Sequence, residues 1–238
     1  MTFLKAIIFG SIGTLTETSE MQRQAFNQAF AEAGHDWRWD SDVYREMVSG
    51  ANAVVGGGDR ITQFAAARSI TLGDDQVKAL HATKSRIFQS MMTNDGLPLN
   101  AGVHALVADG KANGMRVAFA STTSRANIDA MLSATRPAIA DRFDLILSGE
   151  NVDAIKPAPD IYIAALERLA LDASEVIAIE DSAPSMAAAL AAGIATFVVP
   201  GKLWIGGTFH GASAVLPDLN GVTVTKLGTL LGRETISA

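Results

Sequence analysis

The chain has 238 residues, of which 48% are apolar and 18% charged, with a net charge of −6. That size and composition imply a folded chain with a substantial core, either one large domain or a domain carrying an insertion, and exclude a disordered or fibrous protein. The acidic balance without a long Lys/Arg run, the lack of an apolar stretch near the ~20 residues of a membrane span or of a secretory leader, and the absence of cysteine lead us to expect a cytoplasmic protein with no nucleic-acid or membrane partner, no disulfides and no thiolate metal site.

In chain order, the first apolar run is Ala6-Ile7-Ile8-Phe9, which reads as a short buried strand broken at Gly10 before a Gly13-Thr14 turn. In an open α/β sheet the loop at the carboxyl end of the first strand is where ligands bind. From Ser19 to about Met92 the pattern is almost wholly helical. Met21, Ala25, Phe26, Ala29 and Phe30 form an apolar stripe ended by Gly34, and Trp37 to Asp40 reads as a connector. Helices follow around Asp42 to Val48, Arg60 to Arg68 and Asp75 to Met91, with a glycine-rich break at Gly56 to Gly58. Thr93 to Pro98 reads as the return crossing.

From Gly102 onward helices and strands alternate. Helices are expected at Val103 to Asn113, Ala126 to Ala134, Asp160 to Leu169 and Ser185 to Ala192. Strands are expected at Val117 to Ala120, Leu145 to Leu147, Val176 to Ile179 and Thr196 to Val199, with an edge strand at Val215-Leu216. Apolar strands separated by amphipathic helices imply a parallel sheet covered on both faces. The last dozen residues are polar and are expected to fray.

Polar residues gather at four strand ends. The first is the Gly10 loop. The second is Ser121-Thr122-Thr123-Ser124, whose hydroxyls and backbone N–H groups suit a phosphate oxygen, although the bland alternative is an ordinary helix cap. The third is Ile155-Lys156-Pro157-Ala158-Pro159-Asp160. Here Pro157 biases Lys156 to an extended backbone and Asp160 is placed to cap the next helix. A lone lysine is normally just solvated. The fourth is Ile179-Glu180-Asp181-Ser182, where paired carboxylates after an apolar strand suit a hard cation, unless Asp181 simply caps a helix.

In order and spacing, these four pieces resemble motifs one to four of the haloacid dehalogenase-like hydrolases, and the resemblance spans nearly the whole chain. Within that family the chain is most similar to the β-phosphoglucomutase and CbbY-like branch, through GTLTETSEMQRQAFNQAF, GGGDRI, KPAPDIY and EDSAPSMAAALAAGI. The resemblance implies a Rossmann-like parallel-sheet α/β core, residues 1–16 plus 97–238, with an inserted all-helical cap, residues 17–96. It also implies a sugar-phosphate phosphatase type of hydrolase using Mg2+. Thr14, Ser121, Thr122 and Lys156 would bind phosphate, and Asp181 with Glu180 would bind the metal. A small phosphorylated metabolite or an inorganic anion would be the ligand.

The departures from the family pattern bear on its chemistry. Where the resemblance puts the attacking Asp this chain has Gly10, and where it puts the general acid/base it has Ile12. Gly10 has no nucleophile and Ile12 transfers no proton. The metal loses a carboxylate ligand, so a weakened site is expected. On the cap face turned to substrate in the family, Gln22 stands for a His, and Gly57 and Gly58 stand where the branch carries Gly-Gly-Lys, while Arg60 remains. A catalytically impaired relative, a pseudoenzyme that retains phosphate binding, is therefore the expectation. The alternative is a phosphatase or phosphotransferase working by a non-standard mechanism. Without the nucleophile, Lys156 is expected to pair with Asp181 or Glu180.

Overall fold

The computed structural model describes residues 3–235. The chain divides into two compact units, Met1–Glu17 with Gly96–Ala238, and Thr18–Asp95. The first is built on a six-stranded sheet of β1 (Ala6–Phe9), β2 (Arg116–Ala120), β3 (Leu145–Leu147), β4 (Val176–Glu180), β5 (Ala195–Val198) and β6 (Ala214–Val215). The spatial order is β3-β2-β1-β4-β5-β6 and every pairing is parallel. This is the doubly wound order, in which the chain builds outward from β1 first to one side and then to the other. The switch between β1 and β4 opens a crevice at the strands' carboxyl ends. All residues of β1 and β4 are buried, as their unbroken apolar runs require in a sheet covered on both faces.

A single turn of helix, α1 (Ile12–Leu15), follows β1, with Ser11 as its N-cap accepting from the Thr14 N–H. The second unit contains α2 (Ser19–Glu32), α3 (Ser41–Ser49), α4 (Gly57–Ala66) and α5 (Asp74–Asp95). Its core is aromatic. Trp39, fully buried, lies 4.5 Å from Phe26, 5.0 Å from Phe30 and 5.5 Å from Phe64 between ring centroids. Burying each such ring contributes roughly 1.5–3 kcal/mol, which lets a small helical unit hold its own core. Returning to the sheet, α6 (Val103–Ala112), α7 (Arg125–Ala134), α8 (Asp160–Leu169) and α9 (Ala183–Ala191) join its strands, and α10 (Val224–Leu230) follows β6. Among the described residues no helix is long and apolar enough to cross a membrane.

Three expectations are corrected. Thr93 and Asn94 are not part of a return crossing, because α5 continues to Asp95, and Leu97–Pro98 then pairs with Thr135–Arg136. The end of the chain is ordered further than its polarity suggests. Leu227 is buried in α10 and Glu234–Thr235 pairs in parallel with Phe3–Leu4; residues 236–238 lie outside the described residues. Asp160 is not a cap: Pro159 holds that position, and no side chain caps α8.

Candidate active site

Parallel pairing decides what meets at the switch point. Phe9 is in register with Phe119 on one side and Ile179 on the other, so the next residues, Gly10, Ala120 and Glu180, end three adjacent strands together. The Gly10 N–H donates to the Ile179 carbonyl at 3.0 Å. A Cβ at Gly10 would lie closer than 3.0 Å to both the Glu180 carboxylate and the Tyr162 hydroxyl. The room that an aspartate would use is therefore filled, by a phenol from the first turn of α8 and a carboxylate from the end of β4.

Lys156 ties these groups together. Its ammonium, 3% exposed, donates to Glu180 Oε1 at 2.8 Å, to the Tyr162 hydroxyl at 3.2 Å and to the Gly10 carbonyl. The Tyr162 hydroxyl in turn donates to Glu180 Oε1. An ammonium has three donors, and all three are engaged. In this arrangement Lys156 is turned to Glu180, Tyr162 and Gly10. Burial pushes the Glu180 carboxyl up against the opposing pull of Lys156 and raises the Tyr162 phenol well above its ordinary range. Glu180 Oε2 is buried without a partner.

Asp181 faces the other side of the first-strand loop. Its Oδ1 accepts from Ser11 Oγ at 2.8 Å, and its carboxylate lies over Gly13, where any Cβ would collide with it. Ser182 holds the N-cap position of α9, so Asp181 is not its cap. Burial raises the Asp181 carboxyl and the Ser11 hydrogen bond lowers it, with burial the larger effect. Thr14 shares a 2.8 Å hydrogen bond with Ser11, and Asn100 Nδ2 holds the Gly13 and Thr14 carbonyls at 2.8 and 3.2 Å. Ile12 is buried. Ser121, 6% exposed, directly follows β2, with the Thr123 N–H 3.4 Å from its Oγ; Thr122 beside it is half-buried, and Ser124 is the residue that caps α7. Among the described residues no three His, Cys, Asp or Glu gather closely enough to hold a metal ion.

In the helical unit, three of the four expected positions come together. Gln22 Oε1 accepts from Lys84, Gly57 lies beneath His81 with 2.5 Å between a would-be Cβ and Nε2, and Arg60 follows one turn along α4. Gly58 meets only Val77. The residues that the motif reading passed over are Tyr162, Asn100, Lys84 and His81. A signal existed for Lys84: Leu80, Lys84, Ile87, Phe88 and Met92 share one helical stripe, and a lysine inside an apolar stripe marks a buried cation.

Residues 4–193 match the family model described as a haloacid dehalogenase-like hydrolase. The chain belongs to that family. CbbY of Rhodobacter capsulatus is 37% identical over 229 residues, covering 95% of this chain and 99% of that protein. The crystal structure of CbbY from Rhodobacter sphaeroides with phosphate superposes with a TM-score of 0.86 at 34% identity, covering 94% of this chain and 99% of that one. A mutant of the same protein with xylulose-(1,5)bisphosphate gives the same values. The family generally uses Mg2+, and this chain falls in its CbbY-like branch, of sugar-phosphate phosphatase type.

Proposed function

We propose that this chain binds a phosphorylated sugar or a free phosphate and has lost the hydrolytic chemistry of its family. The observation that carries this reading is the filled space at Gly10: Tyr162 and Glu180, both held by Lys156, occupy the place of an attacking carboxylate. Losing residues that act as a unit costs on the order of 10^4 to 10^6 in rate. The hydroxyls of Ser121 and Thr122, just past the end of β2, remain to meet phosphate oxygens. The phosphate and xylulose-(1,5)bisphosphate seen on CbbY make these the first ligands to test.

The donor set does not suit Mg2+. Glu180 is ion-paired with Lys156, Asp181 is bonded to Ser11, and position 10 supplies no carboxylate, whereas Mg2+ demands near-ideal octahedral oxygen coordination. The competing reading is turnover by a non-standard mechanism, and among the described residues the carboxylate packed against Gly10 is that of Glu180. That residue is fully buried and ion-paired, which leaves it no path to phosphorus.

Steady-state phosphatase assays on xylulose-(1,5)bisphosphate with and without Mg2+, paired with calorimetric binding, test the reading. Binding that weakens in Ser121→Ala, with turnover at background, is the expected result. Turnover above background that disappears in Asp181→Ala would overturn it.

A further inference from the structure

The helical unit holds a cavity of about 360 Å3 between α3 and the C-terminal end of α4. Val43 and Met47 line it from α3, Phe64 from α4 and Ala67 from just beyond α4, so its wall is chiefly apolar. Val43 and Met47 are four residues apart, as are Phe64 and Arg68, and that spacing puts each pair on one helix face. One end is closed by the chain between the helices: Gln63 Nε2 donates to the Asn52 carbonyl at 2.7 Å, and both residues line the cavity. A volume of this size, largely preformed and apolar with a few polar groups at its edge, is the usual form of a small-molecule site. None of Gln22, Gly57, Gly58 and Arg60 lines it.

Two charged residues, Arg68 and Glu46, belong to the lining, and they do not pair with each other. Arg68 lays its guanidinium on the Phe64 ring, 3.5 Å from the centroid, and one of its N–H groups points to the Phe64 carbonyl at 3.4 Å. That contact holds the fork in place and leaves most of its five donors unfilled, and no acid pairs with it among the described residues. The Glu46 carboxylate folds back along α3 into the place that a Cβ on Gly50 would take, so the missing side chain there is what draws it aside. We propose that this cavity binds a small monocarboxylate with an apolar body. Its carboxylate meets the Arg68 fork, which suits a planar two-oxygen acceptor, and its body lies against Val43, Met47 and Phe64. The Met47 thioether and the Phe64 ring take an aliphatic or an aromatic body equally well. The site lies wholly within the helical unit and stands whether or not Ser121 meets a phosphate.

The test is octanoate in one arm and 4-phenylbutyrate in the other, titrated into the full-length protein labelled at its eight methionine methyl groups, with Met47 assigned by Met47→Leu. A saturable shift of the Met47 signal is expected with at least one probe, and which probe binds more tightly tells an aliphatic from an aromatic body. Affinity should fall about tenfold or more in Arg68→Gln, and by the same order for octanamide or 4-phenylbutyramide on the wild type, since each removes one side of a charged hydrogen bond. Glu46→Gln should bind as tightly as the wild type or more so, because a like charge is gone. Ala67→Phe, at an exposed position that folding tolerates, should fill the cavity and abolish the shift. A Met47 signal that stays still with both probes would overturn the proposal, as would equal affinity in Arg68→Gln or equal affinity for the amides. Self-association of the protein that Ala67→Phe abolishes, with neither probe bound, would give the cavity to a second copy of the chain and overturn it too.

Discussion

Lys156 and Lys84 are both buried lysines, 3% and 5% exposed, yet they keep opposite electrostatic company. Lys156 is met by a carboxylate, a phenol and a backbone carbonyl, so its charge is matched within the fold. Lys84 is met by one amide oxygen and two ring faces, with Arg60 as a like-charged neighbour. At the sheet, the charges of Lys156 and Glu180 answer each other within the fold. In the helical unit, no acid among the described residues pairs with Lys84. The same substitution at the two lysines should therefore have opposite consequences.

Lys156→Met carries the largest expected effect. It leaves the Glu180 carboxylate fully buried beside Asp181 without its cation, and breaking a buried pair in this way costs about 3–5 kcal/mol. Urea unfolding at pH 7 measures it. The loss should grow toward neutral pH. Glu180 is already raised above its unfolded value and would rise further, and the stability linked to a raised carboxyl is present at acid pH and lost as pH climbs through the folded value. A variant as stable as the wild type at pH 7 would mean that Lys156 and Glu180 are not a working pair, and the contrast between the lysines would collapse.

Gly10→Asp sharpens the sheet side of the contrast. A side chain there must displace the Tyr162 hydroxyl and the Glu180 carboxylate, and it places a third acid among Glu180 and Asp181 around one lysine. Displacement and like-charge repulsion together should cost roughly 2–4 kcal/mol in the absence of metal. With three carboxylates in place, millimolar Mg2+ should restore part of that loss, because a ligand that binds only the folded state stabilises it. The wild type should show no such response. Thermal unfolding of both proteins with and without Mg2+ decides it, and stabilisation of the wild type by Mg2+ would show that its own donors suffice.

The frame of the fold was legible in the chain because its signals are local. The apolar runs at Ala6, Val117, Val176 and Thr196 are each too short for a helix and end at a glycine, a proline or a polar residue, and the stripe through Phe26 and Phe30 has helical spacing. The loop at Gly10 was placed at a strand's carboxyl end by the same reasoning. What fills it was not legible. Tyr162 lies 152 positions from Gly10 in the chain, and that its hydroxyl meets Glu180 follows from strand register and helix packing rather than from any local pattern. The pairing of the C-terminal Glu234–Thr235 with Phe3–Leu4 is non-local in the same way: polar composition argues for fraying only when nothing pairs with the segment.

Lys84→Met tests the other half of the contrast, and its effect should depend on pH. A base whose folded value, about 7, lies below its unfolded value binds fewer protons in the native state than in the unfolded chain across the interval between them. Stability attributable to Lys84 therefore rises with pH over that interval: the charged lysine is an encumbrance at pH 6 and a neutral amine at pH 9. Methionine keeps the length and the contacts with Phe26 and Phe88 but has no charge to bury. The variant should be more stable than the wild type by about 2 kcal/mol at pH 6, with most of that advantage gone at pH 9. Parallel urea titrations at the two pH values read this difference directly. An advantage equal at both pH values would mean that Lys84 titrates as an ordinary surface lysine, and the two lysines would then differ in partners but not in electrostatic strain.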